Sequence, residues 1–568
     1  MKASFRQCMA WLHTWTGLVT GWVLFFVFVT GTAGYVDDEI TRWMQPELPL
    51  PTRVDPGDEA RLLGLGLARL EIAAPQAKSW TITLPHLGLE PRVEHGLGVS
   101  WEDMPPAGRD TGRRRSETLN TATGEVEPAV LARDTAGGRR LYRLHYELHY
   151  VSRVTGFRLV GICTMLMLLA VVTGVITHKK IFTDFFTFRP GKGQRSWLDA
   201  HNVVSVMSLP FFLMITYTGL VFLAFQYLPA GRDVVYGTSE VQRQALFEEL
   251  RPPKREYQPL SGLQVPVPEL LRQIQVTLGD ARIASLQIMQ PAGKGPYIDV
   301  RPVGASGVNF YDPRVARFSA VDGRPLARAD EGNAAVATQR TMFALHEGNF
   351  ANWWLRWLYV VSGLLGCAVI GTGLVLWTVK RRTQHLQKAG ADSFTARLNA
   401  GGLRLVEILN AGTLVGLPLA VAAYFWGNRL LPVALADRAA WELHVLFLVW
   451  GWALLYASIR PLKRAWVELL WLTVAAYALV PVLNAVTTDR HLGVTLPYGD
   501  WGLAGFDLSM LALAAIFAHT ALKLQRKWRV VDGVGPAAGI VVSGRAAASS
   551  QIDVPNPVAA TNPAGGRP

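Results

Sequence analysis

Twelve histidines occur in 568 residues, and five of them sit in a recurring pattern whose residue types could do chemistry. His13 precedes an apolar run closed by Thr30-Gly31, and His201 precedes one closed by Thr218-Gly219; histidine and glycine are 18 residues apart in both. His145 and His149, four apart, precede a run closed by Thr173-Gly174, and His346 precedes one closed by Thr372-Gly373. Imidazole is the commonest metal ligand and a usual axial ligand of haem iron. Ionisable side chains at membrane depth are costly and mark function by default. A single interfacial histidine is ordinarily a hydrogen-bonded residue with no cofactor, but register-matched pairs point to paired axial ligands.

The elements that must position these residues are membrane helices. Half of the chain is hydrophobic and only 17% is charged, a balance that marks a membrane protein. A bilayer core takes about 20 apolar residues per helix. Eight stretches qualify: 15–36, 156–177, 203–225, 355–379, 405–426, 440–458, 465–485 and 503–523. The net charge of +13 is not a nucleic-acid signal. Its clusters (Lys179-Lys180, Arg189 to Arg195, Lys380 to Arg382, Arg460 to Arg464, Lys523 to Arg529) all fall on one side if the eight spans alternate. The positive-inside rule makes that side cytoplasmic, with both termini, and leaves 37–145 and 230–345 outside. Gly31 and Ala33 would suit signal cleavage, but the third span carries the same pattern internally, so the first is expected to stay as a span. Cys8, Cys163 and Cys367 provide neither a disulfide framework nor a CxxC motif.

The first 380 residues read as two copies of one unit: a helix out, an outer segment of about a hundred residues, and a helix back. The expected division is span 1 over 1–36, an outer module over 37–145, span 2 over 146–178, an inner loop over 179–200, span 3 over 201–228, a second outer module over 229–345 and span 4 over 346–380. Four further spans fill 403–525, and 530–568 is rich in Gly, Ala, Pro and Ser and reads as a disordered cytoplasmic tail. Alternating runs at 80–84, 284–288, 297–300 and 308–311 predict strands in two small α+β modules, with turns at 120–126 and 321–325.

Depth sorts the histidines. His13 and His201 open outward-running spans and lie near the inner face; His145, His149 and His346 open inward-running ones and lie near the outer face. His149 and His178 bound one span, about 43 Å apart along it at 1.5 Å per residue, so they cannot share a cofactor. The pattern predicts two bis-histidine haems: an inner site from His13 and His201, and an outer one from His346 with His149 or His145. Arg158 and Arg356, each a turn or two into a returning span, are candidates to hold propionates, with snorkelling to the interface as the alternative. His178, beside two lysines, is as suited to a lipid head group as to haem. His444 and His519 in the C-terminal bundle, and His86, His95, His385 and His491 outside the spans, read as ordinary residues.

The runs LHTWTGLVTGWVLFFVFVTGTAGYVDDEI, THKKIFTDFFTFRPGKGQRSWLDAHN, MITYTGLV and TGLVLWTVKRR resemble the PepSY-associated transmembrane protein family, over residues 1 to about 385. The resemblance implies a mostly α polytopic inner-membrane protein: a four-helix haem-binding core built from two repeats, with two PepSY-like periplasmic modules. The C-terminal four-helix bundle lies outside it. It also implies two b-type haems and reduction of a ferric siderophore, Fe(III) to Fe(II), on the periplasmic side. No nicotinamide or flavin motif is visible, so the electron donor is expected to be a quinol or a cytoplasmic reductase. The alternatives are a transporter of iron or siderophore, with Glu407 and Asn410 as its polar features, and a non-catalytic PepSY module that regulates an extracytoplasmic protease.

Overall fold

A computed structural model describes residues 4–50, 55, 57–85, 96–106, 111–178, 183, 185–227, 230–239, 241–242, 244, 256–280, 282–302, 316–326, 334–348, 350–387 and 394–533. The expected strand at 308–311, His86, His95, Lys179-Lys180 and the tail from 534 onward lie outside these residues.

In chain order, the first unit holds α1 (Phe5–Gly34), α2 (Asp37–Met44), α3 (Glu59–Ala73), β1 (Ser79–Thr83), β2 (Leu97–Glu102), β3 (Arg114–Leu119), α4 (Gly137–Glu147) and α5 (Arg153–Thr177). The second holds α6 (Gln194–Tyr227), α7 (Ala230–Tyr236), α8 (Val267–Leu278), β4 (Ile283–Met289), β5 (Tyr297–Pro302), β6 (Ala316–Ser319), β7 (Pro325–Leu326), α9 (Ala334–Glu347) and α10 (Trp353–Gln387). The C-terminal bundle follows as α11 (Phe394–Leu414), α12 (Gly416–Leu430), α13 (Arg438–Ile459), α14 (Leu462–Thr487), α15 (Leu492–Tyr498) and α16 (Trp501–Gly533). Eight spans are long and apolar enough to cross a membrane, the fifth formed by α11 and α12 together. The last helix continues to Gly533, past the expected start of the tail at 530, because apolar positions persist to Val531.

α1, α5, α6 and α10 form a ring in which α1 and α6 each pack on both α5 and α10. This places the two units face to face. Leu24, Phe28, Met167 and Phe212 fill the middle of the ring, with Phe28 edge-on to Phe212 at 5.6 Å.

Two sequence expectations change here. The outer segments do not make two separate modules. β1 pairs with β4 antiparallel, so strands from both units join one seven-stranded sheet of order β3-β2-β1-β4-β5-β6-β7. The reason is register: Trp80 lies opposite both Trp101 and Ile288, and Ile298 opposite both Ile288 and Phe318. One apolar row thus runs across five strands, buried against Leu62, Leu63 and Leu70 of α3 and Leu270 and Ile274 of α8. Alternation along each strand supplies that row, and splitting the sheet would expose it. The paired turns hold glycines of matching conformation, Gly124 and Gly323, both at φ 74°.

Nor do the returning spans begin at their histidines. His145 and His346 ride on the short helices α4 and α9, and the chain breaks before each span starts afresh. Side-chain caps explain the break. Ser152 accepts from the Thr155 amide at the start of α5, and Asn352 accepts from the Leu355 amide at the start of α10. Such caps satisfy amides that a continuous helix would have bonded internally.

Candidate functional site

The four Thr-Gly pairs do one job four times. In each, the threonine hydroxyl donates back to carbonyls in the preceding turn: Thr30 to Phe26 and Val27, Thr173 to Leu169 and Ala170, Thr218 to Met214 and Ile215, Thr372 to Ala368 and Val369. The carbonyl three residues before the threonine then receives a histidine from another helix. His145 Nδ1 donates to Val27 at 2.7 Å, His13 to Ala170 at 2.8 Å and His201 to Val369 at 3.1 Å. His346 bonds the Ile215 carbonyl and Thr218 Oγ1. The glycine after each threonine clears the space for the ring. A Cβ would meet the nearest imidazole atom at 3.1 Å on Gly174, 3.0 Å on Gly219 and 3.2 Å on Gly373, and on Gly31 it would run into His145 Nδ1 itself.

A carbonyl can only accept, so each Nδ1 carries the proton and each Nε2 keeps its lone pair. The seated rings face each other in twos. His13 and His201 have centroids 6.3 Å apart, and His145 and His346 have centroids 6.0 Å apart. Two metal–imidazole bonds of about 2 Å each, plus the ring radii, give a separation of about 6 Å. From His13 to Val27, the seat of His145, α1 rises about 21 Å, so the pairs lie at two depths.

Outside the spans, burial and the neighbouring His145 push His346 down to about 3, and burial lowers His145 also. Both rings are therefore neutral near pH 7. The unfolded chain takes up these protons near pH 6.5 while the folded chain does not. Stability is accordingly full above that pH and falls as pH drops toward 3. We expect a melting temperature that declines steadily from pH 7 to 4; a flat profile would contradict this placement of the outer rings.

Around the outer pair lies a cavity walled by Phe28, Phe211, Phe222, Met167, Gly31 and Gly219. Thr216 faces it with a buried hydroxyl that has no hydrogen-bond partner among the described residues. Two histidines are too few to hold a bare ion, and no group of three His, Cys, Asp or Glu fit to hold a metal occurs among the described residues. The facing imidazoles could hold a group that brings further donors of its own, and the cavity beside His145 and His346 leaves room for one there.

Several predicted residues stand elsewhere. His149 does not reach His346. Its ring stacks on Phe447 at 5.0 Å and accepts from Arg140, because the chain turns sharply after α4 and swings it toward the C-terminal bundle. His178 caps the end of α5 and accepts from Asn202. The proposed symmetry of Arg158 and Arg356 fails: Arg158 is exposed on α5, and Arg356 is buried in an ion pair with Glu39 at 2.8 Å while also donating to the Tyr35 carbonyl. At the cavity mouth stand instead Arg153, over Phe157 and paired with Glu147, and Tyr142, which donates to Glu347. The sequence signal for Tyr142 was its place one turn before His145 on α4. Glu407 pairs with Arg382, and Asn410 joins Trp22, Thr378 and the Leu374 carbonyl, so both fasten the bundle to the core. His444 bonds Tyr150, His491 caps α15 and His519 is exposed.

Among known proteins, the chain is similar to an uncharacterized protein of Pseudomonas aeruginosa, 26% identical over 387 residues that cover 64% of this chain and 89% of that relative. The family model for the PepSY-associated TM region matches residues 10–380, which takes in both histidine pairs, all four Thr-Gly seats and the seven-stranded sheet. With most of its length inside that match, this chain is a member of the PepSY-associated TM family.

Proposed function

We propose that this protein carries electrons across a bacterial inner membrane between two b-type haems and reduces a ferric siderophore on the periplasmic side. The observation that carries the reading is the fourfold seat: four imidazoles, each held by Nδ1 on one carbonyl of a Thr-Gly turn, meeting in pairs at two depths. His13 and His201 would hold the inner haem, and His145 and His346 the outer one. When bound, the group supplies one-electron chemistry. The chain's own part is to fix the tautomers, keep the rings neutral and exclude water with the Leu24, Phe28, Met167 and Phe212 layer between the sites.

A siderophore holds hard Fe(III) through oxygen ligands and releases softer Fe(II) more readily, so reduction frees iron on the side where the sheet domain stands. Basic clusters at the inner ends of the spans support cytoplasmic termini and a periplasmic sheet. The donor in this scheme is a quinol or a cytoplasmic reductase.

Purified protein tests the reading. We expect a Soret band that shifts on dithionite reduction, about two haems per chain, loss of one on His13→Ala or His201→Ala, and reoxidation by a ferric siderophore. A colourless preparation after haem supplementation would overturn the haem assignment. Haem without reoxidation by any ferric chelate would overturn the reductase assignment alone.

A further inference from the structure

The four C-terminal spans are not needed to complete either histidine pair, yet they grip the ligand-bearing helix α4 at both ends. At the start of α4, Glu442 of α13 accepts from the Thr135 hydroxyl at 2.8 Å and the Ala136 amide at 2.9 Å. Arg438 donates to the Asp134 carbonyl, and Tyr424 of α12 donates to the Gly137 carbonyl. Arg438 and Glu442 are themselves a fully buried pair at 2.6 Å, and Asn428 donates to Glu442 and to Thr135. With Arg438 and Glu442 both fully buried and bonded to three successive residues, the start of α4 has little freedom to shift.

At the other end, Leu148 sits at φ 59°, ψ −156°, and Tyr150 at φ 59°. The Leu148 conformation belongs to a region that essentially only glycine populates, and it persists only where surroundings impose it. Here α13 does so. Phe447 stacks on His149 and meets the edge of Tyr150 at 5.2 Å, and His444 Nδ1 is hydrogen-bonded to the Tyr150 hydroxyl at 2.7 Å. The same face of α13 reaches the seat: Trp450 stacks on Phe26 at 5.3 Å, beside Val27, which receives His145. The opposite helix is held differently. α9, which carries His346, is fastened by the core residues Tyr35, Phe222 and Tyr359.

We infer that the C-terminal bundle, through α12 and α13, is a positioning clamp for His145, setting the orientation of one ligand of the outer site. This rests on the haem reading for its consequence, since a tilted imidazole alters axial ligation and with it the potential of the group. The clamp itself is a property of the chain. Phe447 and His444 are its positioning residues at the hinge, and Glu442 is its anchor at the start of α4.

Amide hydrogen exchange on full-length protein in nanodiscs, with and without haem, tests it. Phe447→Ala should speed exchange over residues 145–152 about tenfold, as expected when one aromatic stack no longer closes a local opening, and leave α6 around His201 unchanged. Phe447→Tyr should restore protection. In the loaded protein, Phe447→Ala should shift the reduction potential of one haem only, the one that His145→Ala removes. Should Phe447→Ala fail to fold, His444→Phe, which keeps the ring and deletes the hydrogen bond, is expected to give a smaller effect in the same residues. Unchanged exchange at 145–152, or a rise shared equally by α6, would overturn the clamp. A colourless wild-type protein with localised acceleration would overturn the haem reading and leave the clamp standing.

Discussion

On the proposed haem reading, we expect His145→Ala to lower haem content from about two per chain to about one and His149→Ala to leave it at two, the pair of outcomes that the outer geometry predicts. The two residues share a short stretch of sequence but not a fate. His145 lies within α4, seated on Val27 and facing His346, whereas His149 lies beyond the break, against Phe447. Removal of His145 leaves His346 with an empty place opposite it and takes one hydrogen bond, worth about 0.5–1.5 kcal/mol, from a Val27 carbonyl that keeps the Thr30 hydroxyl as a donor. Removal of His149 takes away the Phe447 stack, worth about 0.5–1.5 kcal/mol, and the Arg140 hydrogen bond, and leaves both facing pairs intact. Pyridine haemochrome quantitation on the two variants separates them. Equal loss in both, or loss in His149→Ala alone, would refute the outer pairing.

Gly31→Ala should be the most damaging of the four glycine substitutions in the Thr-Gly seats. The new methyl runs into His145 Nδ1, the atom that holds the ring to Val27. The imidazole must leave its seat, because α1 is packed on α5 and α10 and cannot retreat. Overpacking of this kind costs about 1–3 kcal/mol, and here the strain falls on a ligand. At Gly373 the nearest atom is a ring carbon 3.2 Å away, which a shift of a few tenths of an ångström relieves. Gly31→Ala is expected to lose the outer haem at unchanged protein yield, and Gly373→Ala to retain both with a small spectral change. The reverse order, measured by haem content and low-temperature spectra, would show that the glycines serve helix contact rather than ring clearance.

Much of this arrangement was legible in the sequence. The eight spans follow from hydropathy, and the grouping of His13 with His201 follows from matched spacing within a repeat, since a helix converts residue number into depth at a fixed rise. The strands at 80–84, 284–288 and 297–300 follow from alternation. The Thr-Gly pairs were visible too, but a sequence permits helix contact as readily as a ring seat, and only the facing helix distinguishes them. Arg158 and Arg356 matched in register and still diverged, because Glu39, more than three hundred residues from Arg356, supplies a buried partner to one and not the other.

By itself, then, the sequence determined what depends on local order along the chain: the number of spans and the recurrent spacing of histidine to Thr-Gly along them. Tertiary structure decided what depends on which surfaces meet. It joined β1 to β4 in one sheet, because a shared apolar row is buried only when the two outer segments are side by side. It chose His145 over His149, because side-chain caps break the helix after α4 and α13 draws the following residues away. Four residues along a helix keep two histidines on one face, but a turn between them sends one to the core and the other to the bundle.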